Sequence, residues 1–260
     1  MPGATSRVRT LLGGSIVATE STPADAVDDD VPIVALHGWG RDRHDLEVVT
    51  GSSRSLLIDL PGHGASPAPA EVWGARDYAR CVADALEEYG PTPVMIIGHS
   101  FGGRVGVCLA AQRPDLVSAL AISGTPLLRS AASRRPALGM RLAKRARAMR
   151  LISEERLDTV RYRYGSADYR AANGVMRQIL VRVVNEDYRE ELAEISAPMT
   201  MIWGVDDTAA PITTARAAAQ FIGHLVEFIE LPGGHFAICE HPSDTVEAIE
   251  RLRVRGGRHT

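Results

Sequence analysis

Short apolar runs alternate with helical patterns along most of the chain, and each run has the length of one β-strand. Such alternation is typical of a mostly parallel sheet flanked by helices. The first two runs flank Gly13-Gly14 and predict an opening hairpin. The eight predicted strands are Val8–Leu12, Ser15–Thr19, Val31–Leu36, Ser55–Leu60, Val94–Ile97, Val117–Ile122, Met199–Trp203 and Leu225–Glu230.

Apolar residues at helical spacing fill intervals between these strands. Tyr78, Val82 and Leu86 recur every four residues, and Gly90-Pro91 then stops the pattern. The predicted helices of the alternating part are Ala75–Tyr89, Val105–Gln112, Thr213–Ile222 and Ser243–Arg253.

The alternation breaks at Gly124 and resumes near residue 196. Between these points the chain has helical patterns and no predicted strand. We therefore predict a core domain built from residues 1–124 and 196–260. An all-helical insert, residues 125–195, separates the sixth and seventh strands.

Composition narrows the functional classes. Hydrophobic residues make up 45% of the 260, and the formal net charge is −3. The chain is therefore neither disordered in bulk nor a general nucleic-acid binder, which would carry a basic excess. Its three cysteines show no C-x-x-C spacing, which argues against a disulfide framework or a structural zinc site. No apolar run has the length of a signal peptide or a membrane span, so we expect a cytoplasmic protein that does not bind membranes.

The strongest chemical signal is Gly98-His99-Ser100-Phe101-Gly102, which matches G-x-S-x-G. An apolar strand precedes it and a helix follows, which is the setting that this motif requires. The turn raises the serine side chain above the sheet, and the two glycines leave room for neighbouring backbone. We therefore predict that Ser100 is a nucleophile.

A serine nucleophile needs a base, and the base needs an acid to fix its tautomer. His235 is the favoured base among eight histidines because it follows Gly233-Gly234 in a loop after a strand. The histidines at 37, 63 and 99 lie inside glycine motifs and are expected to shape turns. Asp207, in the loop after the seventh strand, is the favoured acid, and Asp206 is the alternative. The order Ser100, Asp207, His235 is that of α/β-hydrolases.

Five local motifs, in this order, resemble those of the α/β-hydrolase superfamily. The resemblance covers nearly the whole chain apart from the insert and the last residues. It implies an eight-stranded, mostly parallel sheet flanked by helices. The motifs are His37-Gly38-Trp39-Gly40, Asp59 to Ser66, Gly98 to Gly103, Trp203 to Asp207 and Gly234-His235-Phe236.

The resemblance also implies a mechanism. The backbone N–H groups of Trp39 and Phe101 would form an oxyanion hole, and Trp39, Phe101 and Phe236 would contact the substrate. Ser100 would attack a carbonyl carbon and pass through an acyl-enzyme, with His235 moving the protons. Neither a metal nor an organic cofactor is expected. The favoured activity is hydrolysis of carboxylic esters with small to medium acyl groups.

The resemblance makes the insert a helical lid. Between residues 126 and 164 the chain carries 11 basic residues and three acidic ones. One interpretation is a solvated helix face, since Leu138, Leu142 and Met149 share the opposite side. The other is a docking surface for an anion such as an acidic carrier protein. The motifs at His37 and Asp59 are similar to those of pimeloyl-acyl-carrier-protein methyl ester esterases, which use basic lid residues in this way.

Several alternatives stay open. The same three residues could act on a carrier-bound ester or thioester, a lactone, or a carbon–carbon bond next to a ketone. A ligand sensor on a hydrolase scaffold is a further alternative, because a fold does not guarantee turnover. The expected partner is a small-molecule ester, with no nucleic acid, and the chain is expected to be a monomer or a homodimer.

Overall fold

A computed structural model describes residues 5–24, 31–51, 53–90, 93–129, 145–149, 151–153, 156 and 166–256. The strands in these residues form one eight-stranded sheet. Their bounds are β1 (Thr5–Leu11), β2 (Ile16–Thr22), β3 (Ile33–Leu36), β4 (Ser55–Asp59), β5 (Val94–His99), β6 (Val117–Ser123), β7 (Met199–Gly204) and β8 (Leu225–Leu231).

The sheet has the strand order β1-β2-β4-β3-β5-β6-β7-β8. β2 pairs antiparallel with β1 and β4, and every other pairing is parallel. This confirms the predicted eight-stranded, mostly parallel sheet. Because parallel strands point the same way, the carboxyl ends of β3 to β8 meet at one edge, where α/β sheets place their ligands.

Helices flank the sheet, and two short 3₁₀ segments interrupt its loops. The helices in the described residues are α1 (Ala75–Tyr89), α2 (Phe101–Gln112), α3 (Ala167–Ala171), α4 (Gly174–Val183), α5 (Arg189–Glu194), α6 (Ile212–Ala219), α7 (Ala237–Glu240) and α8 (Pro242–Gly256). The 3₁₀ segments are Leu12–Gly14 and Arg43–Val49. α2 begins four residues before the predicted Val105, because Gly102 and Gly103 carry no apolar side chain and so hide the first turn from the periodicity.

The central strands are buried on both faces, as parallel strands between two helical layers must be. Successive residues of β3 alternate between two apolar clusters. Val34 and Leu36 pack in the larger cluster with α1 and α2, whereas Ile33 and Ala35 pack in the other with α8. The period of two thus places one helical layer on each face of the sheet.

The stretch between β6 and β7 is helical wherever it is described as regular structure, in residues 145–148 and in α3, α4 and α5. Tyr188 and Leu192, at the start of and inside α5, are fully buried in the larger apolar cluster. The buried Arg104 of α2 donates to Val183 O at 2.8 Å, which ties the carboxyl end of α4 to the core. The role of this stretch as a lid stays a prediction.

No helix in the described part of the chain is long and apolar enough to cross a bilayer.

Candidate active site

Ser100 lies in a sharp turn between β5 and α2. Its backbone has φ 52° and ψ −107°, in the positive-φ region that residues with a side chain rarely adopt. A Cβ on Gly98 would stand 2.6 Å from Gly103 Cα, and one on Gly102 would stand 2.0 Å from Leu36 O. Both distances are far inside van der Waals contact, so the turn requires glycine at 98 and 102.

Backbone hydrogen bonds hold this turn against the neighbouring strands. The Ser100 N–H donates to Ser123 O at 2.8 Å, and the Gly102 N–H donates to His37 O at 3.0 Å. α2 begins at Phe101, so its amino end and partial positive charge lie beside Ser100. Ser100 is therefore fixed at the carboxyl edge of the sheet, where it remains partly exposed.

Asp207 and His235 meet at the same edge, each in the loop after its strand. His235 Nδ1 lies 2.8 Å from Asp207 Oδ2. The other carboxylate oxygen, Oδ1, accepts hydrogen bonds from the N–H groups of Ala209 at 2.8 Å and Ala210 at 2.9 Å. Asp206 is exposed. Of the two aspartates proposed from the sequence, the structure thus brings Asp207 to the histidine.

The Asp207 carboxylate is stabilised in its charged form. Its side chain is fully buried, and burial alone would raise its pKa. The hydrogen bonds from His235 and from the backbone N–H groups of Ala210 and Ala209, with the charge on His235, outweigh burial and lower the pKa below its usual value. A carboxylate accepting three hydrogen bonds can orient the imidazole and stabilise its protonated form.

His235 lies next to the serine turn. Its ring centroid is 4.7 Å from that of His99, the residue before Ser100. A Cβ on Gly124, just after β6, would stand 3.0 Å from two ring atoms of His235 and 2.9 Å from His99 Cε1. The lack of a side chain at Gly124 therefore lets both rings approach the ends of β5 and β6.

Trp39 and Phe101 lie in contact on the other side of the turn. Their ring centroids are 5.3 Å apart in an edge-to-face arrangement. A Cβ on Gly38 would stand 3.6 Å from Ser100 Cβ, so the loop that carries the Trp39 N–H passes beside the serine. Phe236 packs edge-to-face on the His235 ring at 5.4 Å. The three predicted substrate-contacting residues thus border the Ser100–His235 region.

Three histidines near the site are buried, and the environment of each favours the neutral ring. Burial lowers the pKa of His37. Burial and the nearby His37 lower that of His63 to about 4. Burial and the nearby His235 lower that of His99 to about 3. These neighbours therefore add no positive charge beside His235 near neutral pH.

Sequence reasoning gave His37 only a role in shaping its turn, and missed its hydrogen bonds. The Leu60 N–H donates to His37 Nε2 at 3.0 Å, and His37 Nδ1 lies 2.7 Å from Gly38 O. No spacing pattern signals this arrangement, because Leu60 follows β4 and meets the β3 loop only through strand pairing.

Most of the predicted basic surface of the insert, including Arg141 and Lys144, lies outside the described residues.

Comparison with known proteins identifies the family of this chain. A family model described as the alpha/beta hydrolase family matches residues 33–249. A pimeloyl-[acyl-carrier protein] methyl ester esterase of Chromobacterium violaceum is 26% identical over 84% of this chain and 92% of that protein. A 2-succinyl-6-hydroxy-2,4-cyclohexadiene-1-carboxylate synthase of Salmonella typhimurium is 28% identical over 85% of this chain and 92% of that protein.

Solved structures share the fold. A thermophilic esterase from Thermogutta terrifontis superposes with a TM-score of 0.67 at 20% identity, covering 97% of this chain and 99% of that one. The chain belongs to the α/β-hydrolase family, since the family model spans most of its length. It is accordingly an enzyme of the hydrolase type.

The neighbouring aspartates offer a matched pair of variants. We expect Asp207→Asn to lower kcat by about 10⁴-fold, because an amide stabilises the wrong histidine tautomer and cannot balance the imidazolium charge. Asp206→Asn should change kcat less than about twofold, since substitutions at exposed positions seldom matter. Turnover of a chromogenic ester measures both. If Asp206→Asn lowered kcat more than Asp207→Asn did, the assignment of Asp207 as the acid would be wrong.

We expect the folded state to lose stability as the pH falls below about 6.5, where histidines of the unfolded chain take up protons. Folded His63 and His99 stay neutral down to about pH 4 and about pH 3. The unfolded state then binds more protons, and each such histidine removes about 1.4 kcal/mol in total between about pH 7.5 and about pH 5.5. Urea unfolding between about pH 7.5 and about pH 5.5 measures the loss.

The control for this pH effect is His63→Asn, whose amide can keep the contact that His63 Nδ1 makes with Pro61 O. Removing one titrating ring should reduce the stability lost between about pH 7.5 and about pH 5.5 by about 1.4 kcal/mol in total. An unchanged slope in this variant would contradict the assignment.

Proposed function

We propose that the protein is a serine hydrolase that cleaves carboxylic esters of small to medium acyl groups. Ser100 is the nucleophile, His235 the general base and acid, and Asp207 the residue that orients His235. The observation that carries this proposal is the 2.8 Å contact between His235 Nδ1 and Asp207 Oδ2 beside a serine held at φ 52°. That pairing leaves Nε2 of His235 as the basic nitrogen for the Ser100 hydroxyl.

The first half of the reaction forms an acyl-enzyme. His235 Nε2 takes the Ser100 proton as the serine oxygen bonds to the ester carbonyl carbon. The carbonyl π electrons move to the carbonyl oxygen, which in this proposal accepts hydrogen bonds from the N–H groups of Trp39 and Phe101. The tetrahedral species then expels the alcohol, and His235 returns the proton to it.

The second half repeats these steps with water. His235 takes one proton from water as the hydroxide oxygen bonds to the acyl carbon. Collapse of the second tetrahedral species breaks the bond to Ser100, and His235 protonates the serine oxygen. The products are a carboxylic acid and an alcohol, and the enzyme is restored without a metal or cofactor in any step.

The contacts around Trp39 support a limited acyl size. His63 packs edge-on against Trp39 at 4.8 Å between ring centroids, and it neighbours Gly62 in sequence. Met176 of α4 sits over Gly62, where a Cβ would stand 2.3 Å from its Sδ. A flexible thioether thus reaches from the inserted helices to the wall next to the proposed oxyanion hole. We take Met176 as the residue that limits chain length.

Other reactions place a carbonyl in the same position. The relatives carry the names of a methyl ester esterase and of a synthase at nearly equal identity, so likeness at this level does not select the scissile bond. Thioesters, lactones and carbon–carbon bonds next to a ketone are the alternative substrates. Docking of an acidic carrier protein on the basic insert and a cytoplasmic location remain predictions.

The decisive experiment is hydrolysis of p-nitrophenyl esters from acetyl to dodecanoyl by wild type and Ser100→Ala. Without the nucleophile, kcat should fall about 10⁶-fold, to the residual rate that binding alone supplies. Ser53→Ala is the control, because Ser53 precedes β4 at the opposite edge of the sheet. Equal rates for Ser100→Ala and wild type would overturn the nucleophile. Wild type inactive on every ester would overturn ester hydrolysis as the function.

Substitution of Met176 tests the size limit. Met176→Ala opens space next to Gly62, so the acyl-chain optimum should move to longer esters while kcat on acetyl ester changes little. Met176→Phe should move the optimum to shorter esters. The two variants are compared on the same ester series. An optimum unmoved in both would show that Met176 does not border the acyl group.

A further inference from the structure

The link between α4 and α5, residues 184–188, lies against the amino end of α1. Glu186 Oε2 accepts hydrogen bonds from the Ala75 N–H at 3.0 Å and from the Tyr188 hydroxyl at 2.8 Å. Ala75 is the first residue of α1, where backbone N–H groups find no acceptor within their own helix. A carboxylate is favoured there, because the helix dipole places partial positive charge at the amino end. The insert therefore supplies a cap for a helix of the core.

The lack of a side chain at Gly74 makes this contact possible. A Cβ on Gly74 would overlap Glu186 Oε1 and stand 2.9 Å from Arg182 Nε. The Gly74 N–H donates to Asp77 Oδ2 at 2.7 Å, so α1 also caps itself from within. Glu186 takes the next N–H along the chain, and the two carboxylates therefore do not duplicate each other.

Arg182, in the last turn of α4, holds the same end of the helix. Its Nη1 donates to Val72 O at 2.7 Å, and its Nη2 lies 3.2 Å from Asp77 Oδ2. The Arg182 side chain is half exposed, so its ion pair contributes little by itself. The Glu186 side chain is only 12% exposed. Its hydrogen bonds to α1 are therefore the better shielded part of this anchor.

α4 carries the effect of the anchor towards the active site. The helix has ten residues, and Met176 is the third of them. Met176 and Val183 are thus separated by about 10 Å along the helix axis, and a tilt of about 5° at the carboxyl end moves Met176 by about 1 Å. Met176 already fills the place that a side chain on Gly62 would take. A movement of this size would change the space beside the proposed oxyanion hole.

We propose that Glu186 is a positioning residue for acyl-chain selection. Its carboxylate locks the carboxyl end of α4 on the amino end of α1, and this contact holds Met176 over Gly62. The limit on chain length is then set by a wall that is fixed to the core. This inference rests on the proposed function, because it requires Met176 to border the acyl group of an ester.

Glu186→Ala removes the cap and both of its hydrogen bonds, so a long acyl chain can displace α4. We expect kcat/KM for the dodecanoyl ester relative to the acetyl ester to rise about tenfold, the effect of about one methylene of pocket space. The kcat value on acetyl ester should stay within about threefold of wild type. An equal loss on both esters would show a purely structural role and overturn the inference.

Two further variants serve as controls for the acyl preference. The amide oxygen of Glu186→Gln can still accept from Ala75 and Tyr188, so this variant should keep the wild-type ratio within about threefold. Glu190→Ala makes the same change as Glu186→Ala at an exposed position of α5, and it should leave the ratio unchanged. A tenfold rise in Glu190→Ala would contradict a specific role for Glu186.

A double-mutant cycle with Met176→Ala tests whether Glu186 acts through Met176. If it does, Glu186→Ala should change the ratio less than about twofold once Met176 is already alanine, because coupled positions are not additive. Two effects that simply multiply would overturn the inference.

Hydrogen exchange provides a readout that needs no substrate. The backbone amides of α4 should exchange about tenfold faster in Glu186→Ala than in Glu190→Ala, while those of α2 exchange equally in both. Equal exchange of α4 in the two variants would overturn the inference.

The Ser100→Ala comparison separates the two levels of the argument. If Ser100→Ala is inactive and Glu186→Ala keeps the wild-type acyl preference, only the Glu186 inference fails. If Ser100→Ala equals wild type, the proposed function fails, and the inference with it.

Discussion

The close approach of α2 to the end of β3 is the constraint on which the site depends. Gly102 lies so near Leu36 O that no side chain fits between them. This contact brings the amino end of α2 against the loop that holds Gly38 and Trp39. It thereby places the proposed nucleophile, the helix end and the β3 loop within a few ångströms of one another. A single methyl group at Gly102 would separate all three.

Around this turn the Asp207 carboxylate is charged and three neighbouring histidine rings are neutral. Asp207 is a buried carboxylate whose three hydrogen-bond donors keep it ionised, while the surrounding histidines at 37, 63 and 99 are kept neutral. The neutral rings of these three histidines therefore fill the space around the turn without adding positive charge to it.

The sequence predicted what depends on local pattern. Strands, the serine turn and the loops of Asp207 and His235 all carry short-range signals, because a strand followed by a glycine turn has few possible structures. The sequence favours Asp207 over Asp206, but the contact between Asp207 and His235 cannot be derived from local pattern. It depends on how the loop folds, with the Asp206 N–H on Gly233 O and the Asp207 N–H on Gly204 O.

Features that depend on pairing between distant segments were not predictable. Leu60 reaches His37 only because β3 and β4 are neighbours in the sheet, and Met176 reaches Gly62 only because α4 folds back over the β4 loop. The start of α2 was placed too late because its first turn is glycine-rich rather than apolar. The sheet order converts these distant positions into contacts, and periodicity contains no information on that order.

Hydrogen bonds to main-chain groups hold several parts of this site in place. Ser123 O fixes the serine turn, His37 O fixes the start of α2, and the N–H groups of Ala209 and Ala210 fix the Asp207 carboxylate. A backbone carbonyl is present at every position, and a backbone N–H at every position except proline. Ala209 can therefore be replaced by any residue other than proline while the carboxylate keeps this N–H donor. A protein engineer is then constrained mainly at the glycines of the serine turn, where neighbouring backbone leaves no room for a side chain.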